Sequence, residues 1–527
     1  MNRPPATRFQ SVLQHLLCWL AVAGVTCASP AATRKKQPLT KTESRITLYP
    51  PCPCYHVMGK GDGLTQIDVQ VDLAGREGSG ARLVLEISDA LGKAIQTESV
   101  PLSRSTMAGL TVHVPVEAVA RFGVSARLLD KAGSEIANDA SDINVAAGEE
   151  SRVAIGSDGF LRVAGKPQFV LGMYSASHFP EMGEAGFNAT HSYAVVTGES
   201  KDSINSTDAH LKQLLDSSWG NHMRMMVELP REAIEKADWR QVRRRILTFR
   251  HHPGLLCWGS EERVARGRTK VANIATLYRL VKELDPDHPL VLGDSKDVIK
   301  TFEHNRSDFF PEPYMDAGIW WWYPIPIQTS QTNALEGEET RSGFMEPPSW
   351  LTTTIAKKPL WIAIQSYQKP RADGRFPTPA EYRCMAYLSI INGVKGLFFY
   401  TGSGQKDHEG KPSGLLNKPE EGHWDYVKKL VGELREFSPV IMAPSSAEKV
   451  EIFPANGPIE FATRESGNKM YLIAANKSPS PQSVRFSSPS LANKKALVLF
   501  EHRVTPIAEN VLADSFEPFG VHIYQIE

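Results

Sequence analysis

The stretch Phe249-Arg250-His251-His252-Pro253-Gly254-Leu255-Leu256-Cys257-Trp258-Gly259-Ser260-Glu261-Glu262-Arg263 passes from one kind of structure to another and ends in charge. Helix-like periodicity stops at the His-Pro turn, because proline bars the residue before it from the α region. The apolar run after it suits a strand buried on both faces, as in a parallel sheet. Two carboxylates, Glu261 and Glu262, stand where that strand stops. In a closed parallel barrel the carboxyl ends of the strands converge on one face, and chemistry is built there. The alternative is a solvated loop entry, where acidic residues are ordinary.

Working outward, strands alternate with helices from 156 to 440, the signature of a parallel α/β fold. Gln168 to Met173 reads as a first strand, ending at Tyr174, and Phe187 to Tyr193 as a second, containing His191. Met223 to Val227 is the third, stopping at Glu228, and the quoted stretch supplies the fourth. Val271, Ile274, Leu277, Tyr278, Val281 and Leu284 recur at helical spacing before Leu290 to Gly293, a fifth strand with Asp294 at its end. Ala317 to Trp322 is the sixth and Trp361 to Ile364 the seventh, running into Gln365-Ser366-Tyr367. Thr378-Pro379-Ala380-Glu381 opens a helix with a capping box and proline at the first helical position. Leu397 to Tyr400 is the eighth. Eight strands over roughly 280 residues predict a central (β/α)8 barrel.

On both flanks the period falls to two. Thr65 to Leu73, Ala81 to Ile87, Leu110 to Val114 and Gly123 to Leu129 are short alternating runs bounded by turn residues, which predicts an antiparallel β-sandwich over 45–150. Val450 to Phe453, Met470 to Ala474, Ala496 to Phe500 and Val521 to Ile526 predict a second, smaller one over 445–527.

The chain's 527 residues carry 59 basic and 59 acidic side chains, so net charge gives no footprint for nucleic acid. Arg3 and Arg8 precede an apolar run from Val12 to Val25 and the small residues Thr26-Cys27-Ala28, which reads as a secretory leader over 1–28. The run is short for a bilayer span and is interrupted by Gln14 and His15. A polar linker follows over 29–44, and the expected location is secreted or periplasmic, with no membrane attachment once the leader is removed. Of six cysteines, Cys18 and Cys27 leave with the leader, and the rest lack the spacing of a disulfide scaffold or a zinc site. No metal or cofactor is expected. Gly402-Ser403-Gly404 is not a nucleophile elbow, and no glycine loop for phosphate opens a helix after a strand.

Phe187-Asn188-Ala189-Thr190-His191-Ser192-Tyr193, the His-Pro-Gly-Leu-Leu-Cys-Trp run, Pro377-Thr378-Pro379 with Arg383-Cys384-Met385-Ala386-Tyr387, and Phe519-Gly520-Val521-His522-Ile523-Tyr524 together resemble a known family. It is the large clan of retaining glycoside hydrolases on a (β/α)8 barrel, in its bacterial secreted members with flanking β-sandwiches. The likeness extends from Phe160 to Glu527. It implies a carbohydrate substrate and two catalytic carboxylates, at the ends of strands four and seven. Glu261-Glu262 matches the first, with Glu262 as general acid/base, although Arg263 stands where the family has proline. A bulge at the strand end can turn either glutamate inward.

Strand seven offers Gln365, where the retaining mechanism places its nucleophile. Three readings stay open: Glu228 or Asp294 serves instead, a substrate group attacks with Gln365 orienting it, or the barrel is an inactive carbohydrate-binding protein. Trp320-Trp321-Trp322-Tyr323 has more aromatic surface than alternation buries on one side, so at least one ring should face the cleft, with Trp320 and Trp322 the choices. Tyr174, His191, Tyr193, Glu228, Trp258, Asp294, Tyr367 and Tyr400 complete the expected sugar-contacting set.

Overall fold

The computed structural model describes residues 43–49, 56–58, 64–76, 78–113, 120–147, 152–175, 177–191, 203–261, 269–294, 314–327, 343–347 and 358–527. The leader expected over 1–28 and nearly all of the linker after it lie outside the described residues. Among those described, no helix is long and apolar enough to cross a membrane.

The amino-terminal region is a pair of sheets over one core. A three-stranded sheet of Arg45–Tyr49, Leu64–Asp72 and Thr106–His113 packs against a five-stranded sheet that includes Ala81–Ser88, Ala94–Leu102, Ala120–Leu129 and Glu135–Ala147. Ile67, Val69 and Val71 from the first meet Leu83, Leu85, Val124 and Ala126 from the second. The hairpin turn between the last two strands is held by Asp130, whose Oδ1 accepts from Ala132 N and Ser134 N. Two of these strands carry no alternating apolar signal. Ala94–Leu102 is an edge strand with mostly exposed side chains, and Glu135–Ala147 is polar along much of its length. Backbone pairing to a neighbour makes both of them strands.

Eight parallel strands then close into a barrel in chain order: Val170–Tyr174, Ala189–His191, Arg224–Glu228, Leu255–Glu261, Leu290–Asp294, Ala317–Trp322, Leu360–Gln365 and Gly396–Tyr400. They are strands one to eight below. Strand one pairs with strand eight, Val170 opposite Gly396, which closes the ring. Successive residues of a strand point to opposite sides, and the two sides have different partners. Val170, Ala189, Met226, Val291, Ile319, Trp361, Ala363 and Phe398 fill the interior. Leu171, Met225, Val227, Leu290, Ile362 and Phe399 face the helical layer. Space for the Phe398 ring comes from a missing side chain, since a Cβ at Gly172 would lie 2.2 Å from it.

The amino-terminal end of the barrel is closed by a small antiparallel sheet, Val153–Ile155, Leu161–Val163 and Lys166–Gln168, which sends Val153 and Leu161 into the interior cluster. On the outside, the helix Pro379–Ile391 begins at the expected capping box: Thr378 Oγ1 accepts from Glu381 N at 3.3 Å, and the Glu381 carboxylate accepts from Thr378 N at 2.7 Å. This helix and His423–Ile441 carry the carboxyl-terminal eight-stranded antiparallel sheet. Its strand Lys469–Asn476 is buried on both faces. Ile473 and Ala475 join the barrel's outer core, while Met470, Leu472 and Ala474 pack with Val484, Phe486 and Leu512 in a core of the sheet's own.

A buried ion pair joins the first sandwich to the barrel. Arg250, which caps the helix Trp239–Phe249, donates through Nη1 to Leu284 O at 2.7 Å and pairs through Nη2 with Asp68 of the strand Leu64–Asp72. Both side chains are at most 10% exposed. Removing Asp68 leaves the Arg250 guanidinium buried without its carboxylate, so Asp68→Ala is expected to cost about 3–5 kcal/mol. Chemical denaturation measures this; a loss of about 0–1 kcal/mol, as for a surface pair, would show that the contact does not hold the interface.

Candidate functional site

At the carboxyl end of the barrel the strands deliver polar and aromatic side chains above the apolar interior. The Tyr174 ring of strand one rests on the Phe398 edge at 5.7 Å between centroids and lies 4.4 Å from the His191 ring of strand two. His191 Nε2 is 3.3 Å from Glu228 Oε1 of strand three, and neither side chain has any exposure. An imidazole N–H at this nitrogen donates to the carboxylate, which offsets part of the cost of burying it. The carboxylate also needs the neighbouring strand to yield space. Glu228 is in register with Gly259 of strand four, and a Cβ there would come within 2.6 Å of Glu228 Oε1.

A cluster of tyrosine rings forms the opposite wall. Tyr400 of strand eight lies 5.1 Å from Tyr174, 5.2 Å from Tyr323 and 5.6 Å from Tyr367. Gln405 Nε2 donates to the Tyr400 hydroxyl at 2.6 Å, and Lys369 Nζ donates to Tyr323 O at 2.5 Å. Tyr323 and Tyr400 are partly exposed, and their rings stack on one another with 25° between planes.

Gln365 ends strand seven with its side-chain amide fully engaged. Oε1 accepts from Ile325 N at 2.9 Å, while Nε2 donates to Ile325 O at 2.9 Å and to Tyr367 O at 3.2 Å. The side chain is wholly buried. Its geometry is that of a clamp between the chain segments leaving strands six and seven. A glutamine provides both the acceptor and the donor this requires; a carboxylate provides only acceptors.

The expected site residues therefore separate. Tyr174, His191, Glu228, Tyr367 and Tyr400 come together at the barrel mouth. Glu261 is the last residue of strand four, in register with Gly293, and Asp294 is the last of strand five. The side chains of these two, and all of Glu262 and Tyr193, lie outside the described residues.

Three tryptophans are corrections. Trp320 and Trp322 point away from the interior and pack in the core between barrel and helices, whereas Trp321 contacts the interior cluster and is partly exposed. The reason is register: Ala317 sits beside the inward Val291 and Ile319 two residues later is also inward, so alternation brings Trp321 inward next. Trp258 is likewise an outer residue, and its Nε1 donates to Asp285 Oδ2 at 2.7 Å, on the helical side of the strand. Burial raises the Asp285 carboxyl, but the His288 charge with the hydrogen bonds from His288 and Trp258 outweighs it and holds the group below the usual carboxylate range.

Tyr323, Lys369 and Gln405 join the site without having been singled out. Only Tyr323 had a signal in sequence, as the last member of the aromatic run. Among the described residues, no group of three or more His, Cys, Asp and Glu side chains is gathered as a metal site.

No protein-family model matches the chain, and no curated protein matches it. Among solved structures it is similar to a glycosyl hydrolase family 2 member from Bacteroides cellulosilyticus DSM 14838, with 13% identity, a TM-score of 0.41, and coverage of 91% of this chain and 61% of that one. It is also similar to the β-glucuronidase of Parabacteroides merdae, at 9% identity and TM-score 0.38 over 88% of this chain and 72% of that one. For the β-glucuronidase of Bifidobacterium dentium the values are 12% and 0.39, over 73% of this chain and 67% of that one.

The Gln365 clamp is testable by one atom. Gln365→Glu places an oxygen against the Ile325 and Tyr367 carbonyls in place of a donor, with an expected loss of about 1–3 kcal/mol at neutral pH. Urea denaturation reads it, and unchanged stability would mean that these bonds do not hold the segment.

Proposed function

We propose that this chain is a glycoside hydrolase that cleaves O-glycosidic bonds of an extracellular poly- or oligosaccharide, with Glu262 as the general acid/base. The observation that carries the reading is the buried Glu228 carboxylate, held by His191 beneath a partly exposed wall of tyrosine rings and one strand away from the end that bears Glu261-Glu262. Sugar rings present C–H patches between hydroxyls, and aromatic faces with polar edges complement both. The secretory character of the first 28 residues supports an extracellular substrate.

In this reading Glu262 gives its proton to the glycosidic oxygen as the bond to the anomeric carbon breaks. Glu228 is the second carboxylate, and its negative charge stabilises the positive charge that develops on the sugar; water then bonds to the anomeric carbon and gives a proton back to the Glu262 carboxylate. Because Glu228 is level with Gly259, Glu261 lies two residues beyond it along strand four, and Glu262 follows in sequence. Glu261 shares the strand parity of Cys257 and Gly259 and is the alternative acid; Asp294, at the end of strand five, is the alternative second carboxylate. Gln365 positions the segment that carries Tyr323 and takes no part in bond cleavage.

A second reading has an observation of its own. Strand seven supplies an amide already saturated by backbone groups where the resembling enzymes place a nucleophile, and Arg263 replaces the proline of their strand-four motif. Both favour a barrel that binds carbohydrate without cleaving it.

The intact chain, assayed against a broad panel of polysaccharides and aryl glycosides beside Glu262→Gln, Glu261→Gln and Glu228→Gln, decides between them. Turnover by the wild type, lowered about 10²–10⁴-fold in Glu262→Gln with binding retained, and lost in Glu228→Gln, is the expected result. Turnover unchanged in Glu262→Gln removes that residue from the mechanism. Specific binding with no turnover by any form establishes the binding protein.

A further inference from the structure

A cavity of about 900 Å³ opens at the opposite end of the barrel, between the amino-terminal ends of strands six to eight, the Gly156–Gly159 turn and the carboxyl-terminal sheet. Its lining includes Lys358, Lys395 and Arg464, with Ser157, Asn392 and Thr463 among its polar uncharged groups. Two carboxylates also line it, and both are already neutralised. Asp158 receives Arg162 on both oxygens, at 2.8 and 3.0 Å. Asp316 receives Lys282 at 2.6 Å, Leu290 N at 2.7 Å and the Tyr278 hydroxyl at 3.1 Å.

Among the described residues the three cations have no such partner. Arg464 donates to Ser445 Oγ and to the carbonyls of Thr463 and Ile390, and Lys395 lies over the Phe160 ring at 4.1 Å. Those contacts account for the placement of two side chains, at a helix carboxyl end and on an aromatic face. They put no carboxylate in contact with either charge, Asp158 offsets only part of the cost at Lys395, and Lys358 makes no hydrogen bond or ion pair with any described residue. Burial, and then the Arg464 charge, pull the Lys395 ammonium below its ordinary range. Half-buried like charges gathered in one cleft are costly, and an anion lowers that cost.

We propose that this cleft binds a sugar carrying a tetrahedral oxyanion, a phosphate or a sulfate ester, on Lys358, Lys395 and Arg464. The volume is that of a small-molecule site and many times that of a bare ion, and the hydroxyls of Ser157 and Thr463 suit the hydroxyls of the sugar body, with the Asn392 amide nitrogen already held by Leu388 O and Glu460. The site is independent of the reaction at the other face, so neither stands or falls with the other.

Calorimetric titration of the intact chain with glucose 6-phosphate, glucose 6-sulfate, glucose and inorganic phosphate tests it, and the two esters identify which oxyanion is taken. At least one ester is expected to saturate the protein, with glucose and inorganic phosphate each binding at least about tenfold more weakly. Lys358→Gln and Lys395→Met, which keeps the apolar stem on Phe160, are each expected to weaken the ester about tenfold, while Glu262→Gln binds it as the wild type does. Lys358→Gln decides alone if Lys395→Met does not fold. Saturation by neither ester, inorganic phosphate binding as tightly as its ester, or an ester affinity unchanged in Lys358→Gln would overturn the proposal.

Discussion

A side chain on a strand of a closed barrel has two destinations, the interior or the helical layer, and the choice at one residue fixes it along the strand until an irregularity intervenes, as at Leu256 and Cys257 of strand four, which both join the interior. Every feature of the candidate site descends from that constraint. The inward series on strand three puts Glu228 above Met226, and the inward series on strand eight puts Tyr400 above Phe398. Phe398 occupies the barrel at the level where Gly172 leaves room, and so forms the floor on which Tyr174 rests. The same rule carries Trp320 and Trp322 out into the helical layer and leaves Trp321 on the inner side.

Much of this is legible in the sequence because a parallel strand buried on both faces is a short apolar run, and eight such runs are separated by helical periodicities. The eight barrel strands fall where those runs fall. Their carboxyl ends extend one residue further than the apolar pattern in several cases, to Tyr174, Glu228, Asp294 and Gln365. The barrel pairs its backbone through these polar residues, and polarity at a strand end conceals the pairing from a reading based on hydrophobicity. The flanking sandwiches are less legible. An edge strand such as Ala94–Leu102 needs no apolar stripe, since one neighbour's hydrogen bonds define it.

Parity inside the aromatic run is set from outside it. Trp320, Trp321 and Trp322 are identical in type, and only the register of Ala317 against Val291 tells which of them is inward. That is information about a neighbouring strand, absent from the run itself. Trp258 misleads for a similar reason: it belongs to the motif on which the resemblance rests, yet its indole is spent on Asp285, on the outside of the barrel.

The mouth of the barrel balances two buried polar groups differently. Gln365 is satisfied by three backbone contacts and acts as structure, while Glu228 is a buried carboxylate that meets an imidazole and an adjacent glycine. The account therefore rests on a carbohydrate entering the mouth over the tyrosine wall. A crystal structure of Glu262→Gln soaked with an oligosaccharide that the protein binds tests this directly. The account predicts a sugar ring against Tyr323 and Tyr400 with its anomeric carbon directed toward Glu228. An oligosaccharide bound elsewhere on the molecule, with the mouth empty, would contradict it.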